Sequence, residues 1–239
     1  MNASRTARDR ARAELTREIK EAARRQLAVE GAQRLSLRAV ARELGMVSSA
    51  LYRYFPSRDD LLTQLIIDAY EGIADAADAA VADIPAADER GRWRAVANAA
   101  RDWARGHPHE FGLVYGTPVP GYQAPADTVT SASRIPIALL TVVRDAHENR
   151  RLAVPDLDLA PELAAQAQAV AELTGLDVPP AAMTRAVVAW TQLFGMISFE
   201  LFGQLVGSMD PADAFFAEAV ERMADFVGLR DADDSHSTG

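Results

Sequence analysis

The sequence predicts an all-α protein, with a small N-terminal bundle of three helices containing a helix-turn-helix and a larger C-terminal helical domain. Three observations predict it. Apolar residues recur at i, i+3, i+4 and i+7 over long runs, while β-branched alternation is almost absent. Proline and glycine fall at the ends of those runs, where they punctuate helices. Charge is also segregated. The whole chain of 239 residues carries −9, yet residues 1–62 hold 13 Lys and Arg against 8 Asp and Glu, a net of +5 that leaves −14 for the rest.

In chain order, residues 1–12 read as a mobile basic arm. The first full helix presents Leu15, Ile19, Ala22, Ala23 and Leu27 on one face and closes at Gly31. Ser36 is the expected N-cap of a short helix with Leu37, Val40, Ala41 and Leu44 inward. A second short helix, with Ser48 as the expected cap, stops before Pro56. Ser57 then caps a long helix carrying Leu61, Leu62, Leu65, Ile66, Ala69, Ile73 and Ala77, ending near Val81.

A further helix from about Asp88 bears Trp93, Val96, Ala100 and Trp103 and ends before Pro108. A short segment, 108–115, follows. Residues 116–125, with three prolines and two glycines, form a loop. Helices are expected at about 135–150, 161–174, 180–206 and 211–226, and a disordered polar tail at 229–239. The predicted division is arm 1–12, helix-turn-helix domain 13–57, a larger helical domain 58–228, and tail 229–239.

The spacing around Gly45 carries the functional reading. A helix-turn-helix needs a small residue where its helices cross, a glycine at the turn and an apolar plug on the second helix. Ala41, Gly45 and Leu51 satisfy this. With Leu51 and Phe55 inward, Ser48, Ser49, Tyr52 and Arg53 face out. Hydroxyls can serve bases or phosphates, and arginine can be bidentate to guanine.

The run Ser36-Leu-Arg38-x-Val-Ala41-x3-Gly45-Met-Val-Ser-Ser-Ala-Leu51-Tyr52-Arg-Tyr54-Phe55-x-Ser-Arg58-x2-Leu61-Leu62 resembles the DNA-binding domain of the tetracycline-repressor-like (TetR) family. The resemblance spans residues 14–62, a region ending in a specific Leu-Tyr-x-Tyr-Phe run. It implies that Arg38 contacts a base or phosphate and that Ser48, Ser49, Ala50 and Arg53 reach bases. It further implies that Tyr52, Tyr54 and Arg58 contact phosphates, with Ser36 combining capping and phosphate contact. Farther on, Phe111-x-Leu-Val-Tyr115-Gly-x-Pro118-Val-Pro-Gly121-Tyr122 and Trp190-x3-Phe194-Gly195-x3-Phe199-Glu200-Leu201 resemble the WHG C-terminal domain of actinobacterial members. Phe194 stands where that domain has histidine.

The resemblance implies an apolar effector pocket among the C-terminal helices, with Trp103, Phe111, Tyr115, Tyr122, Leu139, Trp190, Thr191 and Phe194 as its expected lining. It also implies that the last two long helices pair with a second copy as a four-helix bundle, through Val187, Gly195, Phe199, Phe202, Phe215, Val220 and Met223. The expected function is a homodimeric, one-component transcriptional regulator. It would be a repressor released from a palindromic double-stranded DNA operator by a small hydrophobic effector. The rival is a helical interaction protein whose basic head meets a protein or an anionic surface.

Other classes find no support. Without cysteine there is no disulfide or thiolate site. His107 and His109 lack a third metal ligand at suitable spacing, so no metal or cofactor is expected. No phosphate loop, nucleophile elbow or dinucleotide fingerprint marks an enzyme. No apolar stretch reaches the roughly 18–20 residues that span a bilayer, and the first 20 residues hold no secretion signal; the expected location is the cytoplasm.

Overall fold

The computed structural model describes the backbone of residues 2–154 and 158–230, with side chains from residue 7 onward. The helices are α1 (Asn2–Glu30), α2 (Leu37–Glu43), α3 (Ser48–Leu51), α4 (Arg58–Val81), α5 (Glu89–Gly106), α6 (Pro108–Tyr115), α7 (Thr128–Glu148), α8 (Pro161–Thr174), α9 (Pro180–Leu201) and α10 (Asp213–Val227). A single 3-10 turn, Ala32–Arg34, links α1 to α2. Among the described residues the β pairing is one bridge, Leu152 to Leu229.

Two compact units result, and they are not consecutive in the chain. Unit 1 comprises Met1–Tyr70 with His107–Ser131; unit 2 comprises Glu71–Gly106 with Ala132–Gly239. The sequence-based boundary at residue 57/58 therefore differs from the packing. The first half of α4, α6 and the proline-rich loop all join the N-terminal helices. Physically, α1–α3 bury too little apolar surface by themselves. Val119 of the loop enters the same core as Ile19, Leu37, Leu51, Phe55 and Leu62, and Leu113, Val114 and Tyr122 pack against it.

Polar bonds fasten this addition. Arg24 of α1 donates to Asp68 of α4 (2.6 Å) and to Glu110 of α6 (2.8 Å). Lys20 pairs with the same Asp68 at 2.7 Å. The hydroxyls of Thr63 and Tyr122 share a 2.8 Å hydrogen bond.

Unit 2 packs α5 and α8 against α9, and α10 against both α5 and α9. Trp93, Val96, Leu139, Val143, Met183, Leu193, Ile197 and Phe216 are buried there. Arginines of α5 bind the other helices. Arg101 holds Glu200 of α9 with two bonds of 2.7 Å, pairs with Asp213 at 2.9 Å, and lies over the Phe216 ring at 4.6 Å. Arg90, itself buried, reaches Glu221, Asp225 and the Leu229 carbonyl.

Several elements depart from the sequence reading. Residues 2–12 continue α1 rather than forming an arm, consistent with their many arginines and alanines, which are strong helix formers. Helix α7 begins at Thr128, seven residues early, and holds Pro136 internally. Its inward face starts with the buried hydroxyl residues Thr128 and Ser131 before Ile135 and Leu139, so an apolar pattern could not reveal it. Helix α9 stops at Leu201, ahead of the left-handed Gly203 (φ 78°). Leu229, assigned to the tail, is buried and bridged to Leu152; the expectation of disorder at 231–239 lies outside the described residues.

Candidate nucleic-acid interface

Helix α2 buries Leu37, Val40 and Ala41. The Met46 amide bonds the Ala41 carbonyl at 2.8 Å, wrapping the chain around Gly45, whose φ of 65° requires glycine-like freedom. Helix α3 and the following turn bury Leu51 and Phe55, as the spacing predicts. Each aliphatic or aromatic side chain so buried contributes about 1.5–3 kcal/mol, enough to hold so short a helix in place.

The capping details differ from expectation. Ser36 occupies the N-cap of α2, but its hydroxyl makes no capping bond. Its amide instead donates to the buried Gln26 side chain at 3.1 Å. The N-cap of α3 is Val47, not Ser48, which becomes the first helical residue. Ser57 caps α4 as expected, its Oγ accepting the Asp60 amide at 3.1 Å and donating to the Asp60 carboxylate at 2.8 Å.

The outward surface carries Arg38, Ser49, Tyr52 and Arg53 exposed, with Ser36, Ser48 and Ala50 half-buried. Arg34, Arg38, Arg42 and Arg53 meet no carboxylate at ion-pair distance among the described residues. Tyr54 is half-buried against the core, with the Arg12 guanidinium 5.2 Å above its ring. Arg58 is placed differently from a free phosphate ligand. Its guanidinium donates to the carbonyls of Leu35 (3.2 Å) and Ala32 (2.9 Å) and pairs with Asp59. It clamps the start of α4 to the α1–α2 connection.

Sequence reasoning passed over Arg34, Arg42 and Val47. Two cationic residues within eleven positions of Gly45, on a segment with one acidic residue, were the available signal for the first pair. Val47 is 71% exposed.

The expected effector lining divides between the units. Phe111, Tyr115 and Tyr122 lie in unit 1, where Tyr115 packs at a tilt against Phe111 (5.0 Å between centroids) and meets Tyr70 edge-on at 6.0 Å. Burial pushes the Tyr115 hydroxyl well above the usual phenol range. Trp103, Leu139, Trp190, Thr191 and Phe194 lie in unit 2. Trp190 and Phe194 form an edge-on pair at 6.3 Å, and the exposed Thr191 hydroxyl donates to the Val188 carbonyl. None of these lines either of two notable hollows of unit 2. One, of about 310 Å³, lies among α4, α5 and α7, with Ala77, Val96, Ile137 and Val142 at its walls and Arg92 and Arg134 beside them. The other is an open apolar trough of about 690 Å³ along α9 and α10, lined by Gly195, Met196, Phe199, Phe215, Met223 and Phe226.

The dimer set is mostly on that second surface. Val187, Gly195, Phe199 (55% exposed), Phe202 (49% exposed) and Phe215 face outward. Val220 and Met223 do not: both are buried within unit 2, and Met223 reaches the trough only as its floor. Their positions on α10 face α5 and α9, which the helical period alone could not distinguish from the opposite side.

Among the described residues no helix is long and apolar enough to cross a membrane, and no cluster of His, Asp and Glu could hold a metal ion.

Comparison with known proteins agrees with this geometry. The family profile described as bacterial regulatory proteins, tetR family, matches residues 19–65, and the one described as tetracyclin repressor-like, C-terminal domain, matches residues 93–223. The chain is 40% identical over 212 residues to the HTH-type transcriptional regulator Rv1816 of Mycobacterium tuberculosis (strain ATCC 25618 / H37Rv), covering 87% of this chain and 90% of that one. It matches the HTH-type transcriptional regulator Mb1846 of Mycobacterium bovis (strain ATCC BAA-935 / AF2122/97) to the same extent. The crystal structure of the regulatory protein SCO4313 superposes with a TM-score of 0.76 at 34% identity, over 91% of this chain and 98% of that one. A TetR family transcription regulator from Marinobacter aquaeolei VT8 shares the fold at TM-score 0.60 and 17% identity, over 94% and 100% of the two chains. These relatives are regulators rather than enzymes, and the protein described here belongs to the TetR family of DNA-binding transcriptional regulators.

Proposed function

We propose that the protein acts as a homodimeric repressor that leaves a palindromic operator when a small apolar ligand binds unit 2. The observation that carries the operator part is the cluster of exposed arginines, Arg38, Arg42 and Arg53, around α3 with no carboxylate partner among the described residues. Cations left unpaired in a net-negative chain suit a polyanion. Helix α3, held by Leu51 and Phe55, presents Ser49, Tyr52 and Arg53 as a reading surface, and one such helix reads too few bases to specify a site alone.

A second copy reads the second half-site. The exposed Phe199, Phe202 and Phe215 beside an apolar trough support pairing through α9 and α10. The hollow among α4, α5 and α7 is at the lower end of small-molecule pockets, roughly 300–1,000 Å³. Its lining includes the second half of α4, the helix whose first half belongs to unit 1. A ligand that fits only one placement of α4 shifts the population of reading heads competent for the operator. A nearly complete switch needs about 10⁴-fold preference between the two states.

Selection of bound duplexes from random DNA tests this reading. The expected result is an inverted repeat with half-sites about one helical turn apart, bound by two chains and weakening as salt rises. Binding without sequence preference, or equal affinity for heparin and the selected duplex, would favour the anionic-surface alternative.

A further inference from the structure

Val47 is the N-cap of α3, and its place there is costly to the fold. Valine is among the poorest N-cap residues, and α3 has no side-chain capping bond at its start. The residue is also 71% exposed, while its neighbour Met46 packs on the core. An exposed valine alone is ordinary. An exposed valine in a position that favours serine, at the leading edge of the reading helix, is a local conflict of the kind that marks function. Exposed arginines lacking carboxylate partners, Arg38, Arg42 and Arg53, lie within nine residues on either side.

From this we infer that Val47 reads a thymine, by packing on its C5-methyl group in the major groove. The inference rests on the operator reading above. The thymine methyl is the apolar mark on the major-groove edge of a base pair, and aliphatic side chains recognise it. The first residues of a reading helix are those that meet base edges. The polar residues that follow, Ser48 and Ser49, can donate to neighbouring acceptors; Val47 can do neither, so a methyl is the feature it can discriminate. Its branched side chain also has few rotamers to lose on contact.

The test uses the full-length protein and its selected operator. Each thymine of a half-site is replaced in turn by deoxyuridine, which removes the methyl alone. The expected result is one position per half-site at which affinity falls about 4-fold, the value of one buried carbon group, and about 15-fold when both half-sites are changed. In Val47→Gly, which keeps an accepted N-cap residue but has no side chain to meet a methyl, the thymine duplex binds as weakly as the uridine duplex does to the unaltered protein, and the uridine substitution has no further effect. Val47→Ser gives a signature that a structural role would not: a melting temperature raised by about 2–4 °C with operator affinity lowered. Operator binding that ignores every uridine substitution, a selected half-site lacking thymine, or a Val47→Gly variant that still discriminates overturns the contact while leaving the operator reading intact. Absence of any preferred duplex overturns both.

Discussion

The exposed arginines around α3 and those of unit 2 are the same residue put to opposite uses. Arg90, Arg92, Arg94, Arg101, Arg134 and Arg144 each bind a carboxylate of their own unit, so their charge is cohesive. Arg38, Arg42 and Arg53 have no such partner among the described residues, so theirs remains available to a partner from outside. Net charge hides this contrast. A chain at −9 is repelled by DNA on average, yet its excess of acids lies after residue 62, while residues 1–62 carry +5.

The sharpest way to break the comparison is at Arg101. Arg101→Ala leaves Glu200, itself largely buried, without its two donors, and is expected to cost about 3–5 kcal/mol in urea denaturation. Loss of below 1 kcal/mol would show that the pair is not what joins α5 to α9. The reciprocal change, Arg53→Ala, is expected to move stability by less than about 0.5 kcal/mol while reducing discrimination between operator and random DNA by about 1–3 kcal/mol per contact. A uniform fall on both DNAs would place Arg53 on phosphate instead.

The smallest effect is in pH. The Glu221 carboxyl is held below its ordinary value by its hydrogen bond from Arg94, with Arg90 adding to this against the opposing effect of burial. Burial raises Asp145, but bonds from Arg92 and Arg144 outweigh it and leave it lowered. Both carboxylates therefore stabilise the fold above the ordinary carboxylate range, and that stability is lost as pH falls through their lowered values. Melting temperature is expected to drop on acidification from pH 5 toward 3, and less steeply in Glu221→Gln. An unchanged slope in that variant would remove Glu221 from the acid response.

How much of this was legible beforehand differs between the same two regions. Ala41, Gly45, Leu51 and Phe55 place the helix-turn-helix because the residues that define the motif lie within fifteen positions of one another, although the core they enter also takes in distant residues such as Ile19 and Val119. The exposed Tyr52 and Arg53 follow by elimination. Arg58 does not: a basic residue at a helix start looks the same in sequence whether it faces solvent or, as here, the carbonyls of Leu35 and Ala32. In unit 2 the apolar faces of α9 and α10 are plain, but Val220 and Phe215 are equally apolar, and which of them turns inward depends on α5, more than a hundred residues earlier. The expected effector set failed to converge for the same reason. Phe111, Tyr115 and Tyr122 look like domain-two residues by position, and Glu110, bonded to Arg24, takes their segment into unit 1.

That interleaving has a consequence for evolution and for engineering. Regulators are often imagined as a reading cassette spliced to a sensing cassette at one junction. Here a crossover near residue 70 would part the head from Val119 and Tyr122, which complete its interior, and would hand the recipient a sensor carrying an orphaned apolar strap. Functional chimaeras in this lineage should therefore need two exchanged segments, not one, and shuffled libraries should show breakpoints surviving in pairs.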